Sequence, residues 1–300
     1  MNSPVRVFVG ADRSQALAVK VLEHSIKRHT SLDVTVTPMI DLPIQQPKDV
    51  RNIQRTGFSF SRFCIPRLAG YQGKAIYMDA DMLVFKDIAS LWTIPFDGAK
   101  VIIQLEVKHQ ELTTRKTGAP KERRKQCAVM LLDCDRLDWE IDRIVDGLDR
   151  NEYDYAGLMY ELCLLDHNEI KYGVPFEWNS LEYYDENTCL IHYTDVYTQP
   201  WTSCWNRNAE HWFSEVRLML DNGSLTMDEL EQEVRRGYFR PSLLWDITSR
   251  PSIPAGIRPL FNVINGWRDS LKRYQPHREV YLAKKRRALA EKQHAKSSAS

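Results

Sequence analysis

The chain has 300 residues, 43% of them hydrophobic and 27% charged, with 41 Lys and Arg against 40 Asp and Glu. These proportions describe a globular chain of one large or two small domains and exclude a low-complexity or strongly charged disordered polypeptide. Residues 268–300 carry ten Lys and Arg against three Asp and Glu, which leaves a net −6 on residues 1–267; an acidic body without a basic groove argues against nucleic acid as a partner. No apolar run approaches the roughly 18 residues of a membrane span. The start, MNSPVRVFVG, lacks the charged opening and long apolar core of a signal peptide, so the expectation is a cytoplasmic protein. Cys64, Cys127, Cys134, Cys163, Cys189 and Cys204 form no C-x-x-C pair and stand mostly in apolar or aromatic runs. Buried reduced thiols are expected rather than disulfides or zinc.

Taken in order, Val5 to Val9 reads as a strand, Gly10-Ala11-Asp12 as a tight turn, and Ser14 to His29 as a helix with Leu17, Val21, Leu22 and Ile26 on one face. Val34 to Ile40 is a second strand. Strand, helix, strand is the opening unit of a parallel α/β sheet, whose ligands bind beyond the carboxyl ends of the strands, where Asp12 stands. Asp41 to Thr56, with Pro43 and Pro47, is a loop, and Ser59 to Leu68 is predicted to be a helix.

The stretch Lys74 to Phe85, KAIYMDADMLVF, is a buried strand broken near its carboxyl end by two acids. Side chains alternate along extended backbone, so Asp79 and Asp81 project to one side with small Ala80 between them. Two like charges in an apolar setting need a metal, a basic partner or a raised pKa, and a hard divalent ion bridging to phosphate oxygens meets that need.

Asp87 to Trp92 then reads as a short helix, Lys100 to Leu105 as a strand, Lys108 to Lys125 as a long polar loop, and Cys127 to Leu132 as an apolar strand. Trp139 to Leu148 and Leu158 to Leu165 are predicted helices, Gly173 to Asn179 a loop, and Thr188 to His192 a strand. His192 opens IHYTDVYTQPW at a strand end, where imidazole can serve as a ligand. Ala209 to Leu220 and Met227 to Arg236 are amphipathic helices. Gly237 to Gly266 reads as rich in Pro and Gly, and Glu279 to Lys296 as a charged helix. Trp178, Trp201, Trp205 and Trp212 are read as core aromatics.

Together the acidic triplet and the later histidine resemble retaining glycosyltransferases of the GT-A type, especially family 8, the glycogenin and galactosyltransferase group. The likeness runs over roughly Val5 to Trp201. It implies a GT-A α/β fold with a mostly parallel central sheet and a helical C-terminal extension. It implies Mn2+ (or Mg2+) bound by Asp79, Asp81 and His192 on the diphosphate of a nucleotide sugar, with UDP-sugar as donor. The family's basic residue in an S-R-F pattern matches Arg62. Lys125 to Leu131, KQCAVML, corresponds to its N-x-G-V-x-L strand, so Lys125 and Gln126 fall in the donor site together with Val9, Gly10, Ala11, Asp12, Arg62, Ala80 and Gln199. The family's H-x-x-G-x-x-K-P-W departs here: Asp195 stands where Gly is usual, Gln199 replaces the phosphate-binding Lys, and one extra residue separates His192 from Pro200. Glu161 is the acid nearest a missing acidic triplet and is added to Asp79, Asp81 and Arg62 as a catalytic candidate. Lys121, Arg123, Arg124 and Lys125 could supply the cation that Gln199 does not.

The expected organisation is a nucleotide-sugar and metal-binding core over residues 1–205, a helical and Pro-rich extension over 206–267, and a basic tail over 268–300. The acceptor class left open is a glycan, a lipid-linked or a small molecule, with peripheral contact at the inner membrane face through Lys284, Lys285, Arg286 and Arg287. Two alternatives compete. DADMLV also resembles the signature of haloacid-dehalogenase phosphatases, with Asp79 as nucleophile and Asp81 as acid/base; loss of the Lys also fits a non-catalytic relative that only binds.

Overall fold

The computed structural model describes residues 4–104 and 126–275, together with 277, 282, 285, 286, 288 and 289. Six strands, Val5–Gly10 (β1), Val34–Met39 (β2), Lys74–Asp79 (β3), Val101–Gln104 (β5), Gln126–Asp133 (β6) and Ile170–Tyr172 (β7), form one sheet in the order β2-β1-β3-β6-β5-β7. β1 pairs in parallel with β2 and β3, and β5 with β7, while β6 runs antiparallel to its neighbours β3 and β5. Met82–Val84 (β4), Ser180–Leu181 (β8) and Leu190–His192 (β9) make a second, three-stranded sheet in the order β4-β9-β8. The apolar stretch that looked like one interrupted strand is therefore two, and the chain passes from the large sheet to the small one at Ala80-Asp81.

Burial of both faces explains the unbroken apolar runs, as in other covered sheets. Phe8, Ala75, Tyr77, Met130 and Leu132 enter one apolar cluster, while Val7, Val9, Ile76, Met78, Val129 and Leu131 enter another on the opposite side, the period-two alternation of extended backbone. A helix over Ala16–Arg28 (α1) makes the crossover from β1 to β2. Its Leu17, Ala18 and Val21 join Leu83, Ile191, Trp201, Trp212 and Phe213 in a third cluster, which seats the later helices on the sheets.

The later helices are Ile141–Asp149 (α2), whose Ile141, Ile144, Val145 and Leu148 enter the first cluster, Ala209–Asp221 (α3), Met227–Arg235 (α4) and Leu243–Thr248 (α5), which contribute to the third, and Arg258–Leu271 (α6). Thr226 caps α4 in a reciprocal box with Glu229, the arrangement that satisfies free N–H groups at a helix start.

Several expectations need correction. Ser59 to Leu68 is not one helix but a 3-10 turn over Ser61–Cys64 followed by a single α turn over Ile65–Leu68; Pro66, which lacks an N–H, is tolerated because it stands at the start of that turn. The expected helix from Leu158 to Leu165 is a π-type turn over Gly157–Glu161, stopped where Leu162 takes a left-handed φ of 51°. Between Gly237 and Gly266 the Pro and Gly residues do not prevent structure: Pro259 sits in the first turn of α6, where a missing N–H is harmless, and α5 precedes it. The expected boundary between residues 267 and 268 lies within α6. The polar loop over 108–125 and most of the charged helix over 279–296 fall outside the described residues.

All six cysteines are free thiols, with Cys64, Cys127, Cys134 and Cys204 buried and Cys163 exposed. Trp178, Trp201 and Trp212 are core residues as expected, but Trp205 is exposed. Among the described residues no helix is long and apolar enough to cross a membrane.

Candidate active site

β1 and β3 lie side by side with Gly10 in register with Asp79, and the Ala80 N–H donates to the Gly10 carbonyl at 3.1 Å. The Val9-Gly10-Ala11 edge and the acidic triplet thus meet at the carboxyl end of the large sheet. Tyr77 lies on the same side of β3 as Asp79 and donates its hydroxyl to Asp79 Oδ1 at 2.5 Å. A Cβ on residue 10 would come within 2.5 Å of that hydroxyl, so glycine is what admits the ring.

Arg62 reaches the same point from its 3-10 turn. Its Nη1 donates to the Cys127 carbonyl at 2.6 Å, its Nη2 to Tyr77 Oη at 3.2 Å, and Nη2 stands 3.6 Å from Asp79 Oδ1. The guanidinium also lies over the Tyr77 ring at 4.5 Å. Burial opposes its charge, yet Tyr77 and Asp79 outweigh that and raise its pKa further above the usual arginine range. Asp79 moves the other way for a carboxylate: burial raises its pKa, and Asp81 adds to the shift against the pull of Arg62 and His192.

His192 is brought to the acids by the small sheet. β4 and β9 run antiparallel with Met82 opposite His192, and the Tyr193 N–H donates to the Asp81 carbonyl at 2.8 Å. His192 Nε2 lies 3.2 Å from Asp81 Oδ1 and 3.9 Å from Asp79 Oδ2. The ligand atoms of Asp79, Asp81 and His192 all fall within 4.8 Å of one another.

The hydrogen-bond network shows that this trio suits a cation. Asn179 Nδ2 donates to Gln104 Oε1 at 3.0 Å, which leaves Asn179 Oδ1 to accept from His192 Nδ1 at 3.0 Å. The proton assigned to Nδ1 by that bond leaves an Nε2 lone pair facing two carboxylates, the tautomer a metal requires. Asp81 Oδ1 is buried and has no hydrogen-bond partner. Two carboxylate oxygens and an imidazole nitrogen form a donor set fit for a divalent ion.

The profile of the glycosyl transferase family 8 matches residues 10–131, the segment that carries Gly10, Arg62, Asp79 and Asp81. The chain is a glycosyltransferase, similar to family 8 over that segment. Its fold is GT-A, seen also in the galactosyltransferase LgtC, solved in complex with donor and acceptor sugar analogs: 16% identity, 76% of this chain and 100% of that one, TM-score 0.52. GlyE from Streptococcus pneumoniae TIGR4 is similar at 17% identity over 71% of this chain and 60% of its own, TM-score 0.50. A curated relative, Protein CDI of Arabidopsis thaliana, is 29% identical over 238 residues, 72% of this chain and 87% of that protein. The chain spans half the length of WbbM, a bifunctional glycosyltransferase, at 13% identity over 72% of this chain, TM-score 0.49. The haloacid-dehalogenase alternative normally carries its acidic pair on the first strand, whereas here Asp79 ends β3 and Asp81 follows it, after two earlier strands.

Other expected site residues are placed as follows. Asp12 is a helix cap, accepting the Ser14 N–H at 2.8 Å in a box with Gln15, and it also lines a cavity of about 980 Å³. Gln126 opens β6, Lys125 lies outside the described residues, and Glu161 is exposed at the end of its turn, apart from the metal trio. Gln199 is completely buried, and its Nε2 donates to Asp81 Oδ2 at 2.8 Å and to the Tyr193 carbonyl at 3.1 Å. Its Oε1 lies 2.9 Å from His277 Nε2. Residue 199 therefore orients the Asp81 carboxylate of the trio. Gln199→Leu, of similar size, is expected to weaken Mn2+ binding about 10–100-fold, as loss of an outer partner of a metal ligand does. Calorimetric Mn2+ titration checks it, and unchanged affinity would remove Gln199 from the site.

Two residues that support the trio have no signal in the sequence. Asn179 ends the loop expected from Gly173, and no local signal says that it faces His192. Glu182 is buried in a left-handed conformation, φ 56°, and accepts the Asp195 N–H at 3.0 Å, which holds the turn that follows His192. Burial pushes its carboxyl up to about 7.

Proposed function

We propose that the chain transfers a sugar from a UDP-sugar to a hydroxyl of a glycan, lipid-linked or small-molecule acceptor, with Mn2+ (or Mg2+) held by Asp79, Asp81 and His192. The observation that carries this reading is the convergence of those three ligands beside the Gly10 edge, with His192 turned by Asn179 to offer Nε2. A divalent ion there would neutralise the diphosphate as it leaves. Val9, Gly10, Ala11 and Ala80 offer backbone close to the trio, where a nucleotide can approach without side-chain interference, and Asp12 lies at the rim. Arg62 favours the charged form of the Asp79 carboxylate and helps aim it. Lys125 and Gln126 would contact the sugar, as the family likeness implies. Retention of the anomeric configuration rests on that likeness too.

Gln199, engaged by Asp81 and His277, brings no charge to the phosphates. Arg13, Arg55, Lys272 and Arg273, among the seven Lys and Arg described in the lining of the cavity beside Asp12, are proposed to take over that role. The core over residues 1–205 would then bind donor and metal, the extension over 206–267 and the tail residues Lys272, Arg273, Tyr274 and His277 would complete the cavity, and the reduced thiols suit a cytoplasmic setting.

Calorimetric titration with UDP, GDP and ADP, each with and without Mn2+, tests the donor class. UDP should bind, and should bind at least about tenfold more tightly with Mn2+, a difference of about 1.4 kcal/mol. A preference for ADP or GDP, or binding indifferent to the metal, would overturn the reading.

A further inference from the structure

Helix α6 is seated through its polar face. Asn265 is completely buried and donates from Nδ2 to Asp246 Oδ2 at 3.2 Å, and Asn262 Oδ1 accepts from Arg250 Nη1 at 2.8 Å. Asp269 accepts the Ser242 N–H at 2.8 Å and its hydroxyl at 2.7 Å. These contacts fix where the helix ends, and so where the chain after Leu271 sets out. That end is closed by a reversal of the Schellman kind: the Arg273 N–H donates to the Ser270 carbonyl at 3.0 Å and the Tyr274 N–H to the Asp269 carbonyl at 3.2 Å. Arg273 holds the left-handed position, φ 53°, that glycine usually fills, and His277 is left-handed as well, φ 46°. Side chains resist that conformation, so contacts farther along must hold the segment in place.

Two such contacts are present. Tyr274 turns its hydroxyl back to donate to the Tyr238 carbonyl at 3.1 Å, and His277 reaches Gln199, with Nε2 2.9 Å from Oε1. The second contact answers a demand of the glutamine. Gln199 is completely buried, and its amide N–H groups are committed to Asp81 Oδ2 and the Tyr193 carbonyl. A flipped amide would set Oε1 against those two acceptors, so Oε1 faces away from Asp81. There it needs a donor, because a buried carbonyl oxygen gives up water without return unless a protein group replaces it. Among the described residues His277 is that donor, which places its ring proton on Nε2. Burial lowers the His277 pKa against the pull of Asp12 and Asp81, in keeping with a neutral ring that lies near both acids.

A line of hydrogen bonds therefore runs from the end of α6 to the trio, His277 to Gln199 and Gln199 to Asp81 Oδ2. With Oδ2 held, the partnerless and buried Oδ1 of Asp81 is left 3.2 Å from His192 Nε2. Lys272, Arg273 and Tyr274 line the cavity beside Asp12 together with His277, so the docking that aims Asp81 also completes that wall.

We propose that Lys272 to Gln275 and His277 form a strap whose docking is coupled to the trio, with His277 a positioning residue for Asp81 through Gln199. This rests on the reading of Asp79, Asp81 and His192 as a metal site. Coupling of this kind is reciprocal: a strap that favours the ion-ready Asp81 is itself held more firmly once the ion is bound.

Hydrogen exchange of the full chain, read by mass spectrometry on peptides containing the Arg273 and Tyr274 amides, reports the docking, and calorimetric Mn2+ titration reports the trio. Without metal, His277→Leu and Gln199→Leu should each speed exchange of those amides at least about fivefold, and Mn2+ should slow it in the wild type by a similar factor. His277→Leu should bind Mn2+ about tenfold more weakly, the lower end of what loss of an outer partner of a metal ligand costs. His277→Gln, which keeps an amide donor near the position of Nε2, should recover most of that affinity. A merely structural role would lower the melting temperature of both His277 variants without this split between them. Exchange unchanged in both Leu variants would overturn the docking, and equal Mn2+ affinity in the wild type and His277→Leu would overturn the positioning role. A wild type that binds no Mn2+, while metal-free exchange still responds to both Leu variants, would overturn the metal reading and with it the coupling, so failure of that reading is told apart from failure of the docking.

Discussion

Asp79→Asn and Asp81→Asn are each expected to abolish Mn2+-dependent UDP binding while leaving a cooperatively folding chain. Each substitution replaces a charged ligand oxygen by a neutral one in a trio whose ligand atoms lie within 4.8 Å of one another. The fold should survive because the local hydrogen bonds have acceptors that an amide can replace. Tyr77 donates to Asp79 and Gln199 to Asp81, and in both cases the remaining amide oxygen can accept. Burial raises the Asp79 pKa, so folding favours the protonated carboxyl: that preference is full below the unfolded pKa and is lost as pH rises through the folded value. At pH 7.5, above the ordinary carboxylate range, Asp79→Asn removes this cost, and without metal its melting temperature should equal or exceed that of the wild type. Calorimetry with UDP and Mn2+, paired with thermal melts, reads both effects. Retention of the metal-dependent UDP affinity by both variants would mean that the trio is not the metal site.

Arg240→Ala carries the largest expected loss of stability, about 3–5 kcal/mol, the usual cost of breaking a fully buried ion pair from one side. Arg240 and Asp246 are both completely buried and paired. Arg240 also donates through Nε to the Pro200 carbonyl at 3.3 Å and through its backbone N–H to the Trp201 carbonyl at 2.9 Å. Its loss should therefore loosen the segment that carries Gln199 as well as the seat of α6. Urea denaturation of the metal-free protein measures the change. A loss below about 1 kcal/mol would show that Arg250 and Asn265 suffice to neutralise Asp246, since surface pairs contribute no more than that.

Local pattern made much of this fold legible. β1, α1 and β2 stand within one or two residues of their expected limits, because the apolar alternation of VRVFV and the helical spacing of Leu17, Val21, Leu22 and Ile26 are short-range signals. The acidic pair was legible for the same reason: charges inside an apolar run conflict with burial, and that conflict is visible without a structure. Ser61–Cys64 and Gly157–Glu161 were misread because 3-10, α and π turns share nearly the same side-chain spacing, and tertiary contacts select among them.

The sequence by itself determined that a parallel α/β unit would open the chain, that two acids would lie at a strand end, and that a histidine would end a later strand. Only the tertiary structure decided that these belong together. The β4–β9 register sets His192 beside Asp81, Asn179 selects its tautomer, and Gln199 is committed to Asp81 rather than to phosphate. It also decided the orientation of α6. An amphipathic pattern states that a helix has two unlike faces but not which one turns inward, and the buried ions at Arg240, Asp246 and Arg250 required the polar one.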